Sequence, residues 1–124
     1  MKQIKVGGRE LALDFTMDAM DQMEVALGEK IDLSNLQTSV VDKTADRKAL
    51  LAVLHCMTQP DERGERVTLD WLKMHVRPGQ LVMLRRAVLD AMTEGMSMET
   101  EEADEDEEVD VVLEEIKKND STAG

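Results

Sequence analysis

The sequence predicts a mainly α (α+β) protein: an N-terminal β-hairpin, a small bundle of three to four helices, and an acidic C-terminal tail with a short amphipathic helix. Three observations carry this. A Gly7-Gly8 pair joins two short segments in which polar and apolar residues alternate. Three later stretches repeat their apolar residues at helical spacing between Gly and Pro breaks. The charge then splits: residues 1–98 carry 13 Lys+Arg against 15 Asp+Glu, whereas residues 99–124 carry 2 against 12. The domain reading rests on that split, with residues 1–98 as hairpin plus helical body and residues 99–124 as a tail.

In residues 2–6 and 9–13, Ile4, Val6, Leu11 and Leu13 alternate with Gln3, Lys5, Arg9 and Glu10. A Gly-Gly link between such segments reads as a hairpin, because a primed turn needs positive φ at both central positions. Thr16 is the expected N-cap of the next helix, with Asp18 adding negative charge to its first turn. Met17, Met20, Met23 and Leu27 form the expected buried stripe, Phe15 the expected staple onto the first turn, and Gly28 the stop. Ser34 is expected to cap a short turn holding Leu36 and Val40. A firmer helix begins at Thr44 or Asp46 and runs through Leu50, Leu51, Val53, Leu54 and Met57. Gln59-Pro60 ends it, since proline lacks the N–H and disfavours helix in the residue before it.

Residues 61–66 read as a polar loop. Thr68 then caps a short helix over 69–75, with Leu69, Trp71, Leu72 and Val76 as apolar contacts. Arg77-Pro78-Gly79-Gln80 interrupts it, and Pro78 suits the first turn of the next helix. Leu81, Leu84, Val88 and Met92 make the stripe of that last body helix, which Gly95 is expected to end. In the tail, nine carboxylates and no basic residue occupy residues 99–110. Such a run cannot bury apolar area and repels itself, so it should be disordered or a solvated helix. Val109, Val112, Leu113 and Ile116 lie beyond it on one helical face near residues 109–118, before Lys117 and Lys118. These four are the candidate partner-binding residues.

Composition narrows function. Tyr is absent and Phe15 and Trp71 stand alone, so Leu, Val, Ala and ten Met must build the core. Most of these Met are expected to be core, although Met also suits adaptable binding surfaces. A lone Cys56 excludes an intrachain disulfide. No run approaches the length of a membrane span, the N-terminus lacks the apolar core of a secretory signal, and a cytoplasmic protein is expected. The acidic balance disfavours nucleic acid and anionic membrane as partners. His55-Cys56 and His75 do not make a zinc spacing, and adjacent helical residues diverge. Gly7-Gly8 lacks the phosphate-loop pattern, and residues 104–108 lack a calcium loop. No metal, cofactor or catalytic constellation is expected, and with them no enzyme. Arg85-Arg86, with Lys73 and Arg77, could receive the acidic tail, but ordinary solvent-facing arginines are the preferred reading.

Three passages carry a likeness: IKVGGRELALDFTMDAMDQMEVALG, RKALLAVLHCMTQ and TLDWLKMHVRPGQLVMLRRAVLDAMTEGM. Together they span about residues 1–98. In their order and in the acidic tail behind them, the chain resembles the tail assembly chaperones of long-tailed bacteriophages and prophages. The resemblance implies a non-enzymatic, mainly helical protein acting in the host cytoplasm and absent from the mature virion. It would bind and solubilise the tape-measure protein and help recruit tail-tube subunits. Many such proteins occur in two lengths through ribosomal frameshifting, and this chain would be the short form. The competing expectation is an acidic interaction module such as a DNA-mimic or anti-restriction protein, which the near-neutral body disfavours. Self-association into a homo-oligomer is left open.

Overall fold

The computed structural model describes residues 1–97. The candidate residues Val109, Val112, Leu113 and Ile116, and the helix expected over 109–118, lie outside the described residues.

Strands β1 (Lys2–Val6) and β2 (Arg9–Leu13) pair antiparallel, with Val6 opposite Arg9, Ile4 opposite Leu11 and Lys2 opposite Leu13. Gly7 and Gly8 have φ of 56° and 79°, so both central positions of the two-residue turn need the left-handed region that glycine enters without strain. Alternation puts Ile4, Val6, Leu11 and Leu13 on one buried face.

Four α-helices come next: α1 (Met17–Leu27), α2 (Arg47–Met57), α3 (Leu69–His75) and α4 (Leu81–Met96). Each of the first three starts at a side-chain cap. Thr16 Oγ1 accepts from the Ala19 N–H at 3.1 Å, Asp46 from Ala49 at 3.0 Å and Thr68 from Trp71 at 3.0 Å. α1 stops at Gly28, φ 73°, whose N–H returns to the Glu24 carbonyl. Before α4, the Gln80 side chain turns back to accept the Arg77 N–H at 2.9 Å. α1 packs on α2, α2 on α3 and α4, and the hairpin on α4 and α2. The centre of the core is Val6, Leu13, Met23, Val53, Leu54, Met57, Leu72, Leu84 and Val88, all fully buried. Burial of each such side chain stabilises the fold by about 1.5–3 kcal/mol before entropy is counted.

Several expectations are corrected. Met17 is 71 % exposed, and Ala19 with Met23 forms the buried line of α1. At about 100° per residue Met17 lies roughly 120° or more from Ala19 and Met23, which turns it to the solvent side of the helix. Nor are most methionines core: Met23, Met57 and Met92 are buried, but Met1, Met17, Met74, Met83 and Met96 are exposed. Asp32, not Ser34, caps the turn after α1, its Oδ1 accepting from the Ser34 N–H at 3.0 Å and from its hydroxyl at 2.6 Å. A carboxylate holding two donors stays ionised, and these bonds push the Asp32 pKa below its usual value. Residues 33–45 form 3₁₀ and π turns (Leu33–Asn35, Gln37–Val41 and Asp42–Ala45) that bury Val40 and Thr44. Gly95 does not end α4. It lies inside the helix, where a Cβ would stand 2.6 Å from both Cβ and the carbonyl oxygen of Phe15. Phe15 is thus seated against the last turn of α4.

The polypeptide after α2 adds a short pairing at the second edge of β2. Leu13 and Thr58 form an antiparallel bridge, the Asp14 N–H donates to the Met57 carbonyl at 2.9 Å, and Gln59 N–H to Ala12 at 2.9 Å. No sequence signal marks that contact.

Candidate functional site

The edges of the hairpin are unequal. Beyond β2 lie Thr58 and Gln59, while β1 has no strand on its outer side among the described residues. In an antiparallel ladder alternate residues direct their N–H and C=O to the partner, and those between direct them outward. Because Val6 faces Arg9 across the two-residue turn, Val6, Ile4 and Lys2 bond to β2, and Gln3 and Lys5 point outward. The same alternation on β2 makes Ala12 and Asp14 outward-facing, and these two accept and donate the bonds to the Met57–Gln59 backbone.

A groove of about 670 Å³ runs between this outer edge of β1 and the flank of α4. Ile4, Met83 and Ala87 supply its apolar lining, and Lys2, Lys5, Arg86 and Asp90 its charges. Two contacts fix its direction. Lys2 Nζ lies 3.3 Å from Asp90, and the N-terminal amine lies 3.6 Å from Glu94. The groove therefore opens toward the C-terminal end of α4 at Lys2 and runs to Gly7-Gly8 beside Gln80. None of the ion pairs among the described residues uses Lys5 or Arg86. Beyond the groove the outer face of α4 continues as Val82, 85 % exposed, with Met83 50 % exposed and Leu89 half-buried. Exposed apolar side chains thus lie beside a strand edge that is unpaired among the described residues.

The remaining chemistry-bearing residues are occupied structurally. Arg85 is not a solvent-facing arginine: its Nε donates to Thr44 Oγ1 at 3.1 Å and an Nη to the Val41 carbonyl at 3.1 Å. It ties α4 to residues 41–44. Arg66 donates to the carbonyl of His55 and, at 2.9 Å, to Gln22, holding the loop after α2 across two helices. Its position near the last carbonyls of α2 suits a cation. Burial pushes the His55 pKa down, and the Arg66 charge adds to that shift. Burial likewise pushes the Cys56 thiol up, so the nucleophilic thiolate is disfavoured there. His75 stacks on Trp71 with ring centroids 4.1 Å apart, Arg9 lies 5.3 Å above the indole, and Arg9 also reaches Asp61 at 3.3 Å. This stack seats α3 against the hairpin turn, where a Cβ on Gly7 would meet the His75 ring at 2.9 Å. A second groove, between β2 and residues 59–67, sets Arg9 and Arg63 with Glu10, Asp61, Glu62 and Glu65 around Leu11, Ala12, Pro60 and Val67, and its lining is the more polar of the two.

Among the described residues no three His, Cys, Asp or Glu side chains are grouped to hold a metal, and no helix is long and apolar enough to cross a membrane. No family model, no curated protein and no solved structure matches the chain. The candidate partner-binding residues named from the sequence lie in the tail, and the β1–α4 groove was not among them. The available signal was Val82-Met83, two apolar residues lying off the Leu84/Val88 stripe of their helix.

Proposed function

We propose that this chain is a non-enzymatic tail assembly chaperone that binds and solubilises the tape-measure protein of a long-tailed phage and helps recruit tail-tube subunits. One observation carries the reading: a near-neutral helical body with exposed Val82, Met83, Met17, Val25 and Met74 is followed by a tail holding almost all of the net charge. A protein that keeps an aggregation-prone helical client in solution needs adaptable apolar surface and a strong solubilising charge in one molecule. The hairpin and α1, α2, and the α3–α4 pair correspond to the three passages on which the resemblance rests. In this proposal Val109, Val112, Leu113 and Ile116 add an apolar face beyond the acidic spacer. The work is done in the host cytoplasm, the protein does not enter the virion, and a frameshifted longer form is made from the same message.

The test is co-expression of the full chain with a fragment of a tape-measure protein of a long-tailed phage. The expected result is a soluble complex, with the soluble fraction falling when residues 99–124 are deleted or when Val82 and Met83 are both changed to Asp. If the fragment stays soluble to the same extent without this chain, the reading fails. Pull-down of a DNA-binding enzyme in place of tail components would favour the DNA-mimic alternative.

A further inference from the structure

We propose that the groove between β1 and α4 takes an extended segment of a partner polypeptide in which apolar and acidic residues alternate, added as a third strand along β1. Three features of the described residues carry this. The first is backbone. Gln3 and Lys5 direct their N–H and C=O groups away from β2, while Ile4 between them is committed to Leu11. A segment lying beside β1 bonds to both outward residues, the way an extended peptide joins a sheet edge. The second is the two faces of that edge. Residues opposite one another in a sheet point to the same side. A partner residue beside Ile4 therefore faces α4, where Met83 and Ala87 line the groove, and has to be apolar. A partner residue beside Lys5 faces the other way. Lys5 is exposed and stands opposite Glu10 on β2, so a carboxylate on its outer side extends that row as alternating charge across the sheet. The partner segment thus reads apolar, acidic, apolar at a period of two.

The third feature is the sign of the charge. Lys2, Lys5 and Arg86 line the groove against one carboxylate, Asp90, which Lys2 already holds at 3.3 Å. Lys5 and Arg86 are left without an ion pair among the described residues. Screening at physiological salt confines exposed charges to a range of about 8 Å, so the lining of the groove, not the total charge of the chain, sets the sign it prefers. β1 itself, Lys-Gln-Ile-Lys-Val, contains no acid. A second copy pairing through the same edge would bring Lys2, Lys5 and Arg86 against their own kind, whereas an acidic strand is attracted there. The site is separate from the tape-measure reading: failure of one leaves the other standing.

Amide hydrogen exchange followed by NMR on the full chain tests this, with three end-blocked peptides as probes. EVEVEVE has the required alternation, EEVVVEE the same composition without it, and KVKVKVK the same alternation with the charge reversed. Saturating EVEVEVE is expected to slow exchange of the Gln3 and Lys5 N–H groups by at least about tenfold, with the α2 amides unchanged as the control for folding. EEVVVEE should leave both amides unprotected. KVKVKVK should bind the parent about tenfold more weakly than EVEVEVE, and the K5E/R86E variant should invert that preference. No protection by EVEVEVE, or equal protection by either control peptide, overturns the proposal. So does slow exchange of Gln3 and Lys5 in the peptide-free chain: if it is lost on dilution, a second copy occupies the edge, and if it is independent of concentration, a segment of the same chain does.

Discussion

Replacing Gly95 by Ala should destabilise this protein, although the same change in most helices stabilises it. Gly95 is inside α4 with ordinary helical backbone, not among the glycines with positive φ. Helix propensity and the reduced freedom of the unfolded chain alone would favour Ala by about 0.5–1 kcal/mol. The new methyl, however, would stand 2.6 Å from the Phe15 carbonyl oxygen, 2.6 Å from its Cβ and 3.0 Å from Cδ2. A backbone oxygen cannot step aside as a flexible side-chain tip can, so the start of α1 or the end of α4 must move. Overpacking of that kind costs about 1–3 kcal/mol. Phe15 is buried at 7 % exposure, and any shift also uncovers part of its ring. The net expectation is a loss of about 1–2 kcal/mol, read as a lower urea midpoint with unchanged m-value and a drop of roughly 4–15 °C in Tm. Gly79→Ala is the control. A Cβ there meets nothing within 4 Å, so that variant should be neutral or slightly stabilised. A midpoint for G95A at or above that of the parent would refute the close approach of Phe15 and α4.

Thr16→Ala and Asp46→Ala each remove one N-cap acceptor and should each lower stability by about 1 kcal/mol, nearly additively because the two caps start different helices. Arg85→Met keeps the packing of the stem but removes the bonds to Thr44 and Val41. A loss of about 1–2 kcal/mol is expected, with exchange protection falling more in residues 40–45 than in α2. His55 contributes a pH dependence. Its folded-state pKa lies below the ordinary value of 6.5, first through burial and then through Arg66. Above that value both states are neutral at this site and stability is full; as pH falls through it the unfolded chain takes the proton first, and stability declines until the folded-state pKa is passed. His55→Gln should flatten this part of the urea-midpoint profile, and an unchanged slope would show that His55 does not cause it.

Local chemistry carried far into the structure. The Gly7-Gly8 turn, the hairpin register and the caps at Thr16, Asp46 and Thr68 all depend on residues within four positions of one another, so they were legible without any knowledge of the fold. The buried stripe of α4 was also legible, because four apolar residues at helical spacing leave little choice of face. Methionine was not. Met17 and Met23 are chemically identical, and only the position of α2 decides that one is solvated and the other buried. Gly95 read as a stop because glycine commonly ends helices, but the residue that requires it, Phe15, is distant in sequence. The turns of residues 33–45 lack clear periodicity, being held by Asp32 at one end and by Arg85 from α4 at Val41 and Thr44 near the other.

The sequence by itself therefore determined the elements, their order and the separation of charge between body and tail, since those depend on turn stereochemistry, capping and composition. The tertiary structure decided which edge of the hairpin is used. Backbone bonds from Met57 and Gln59 close the β2 side, and α4 is set beside the open β1 side to make a groove. That arrangement depends on where remote segments pack, which no local pattern in either strand encodes.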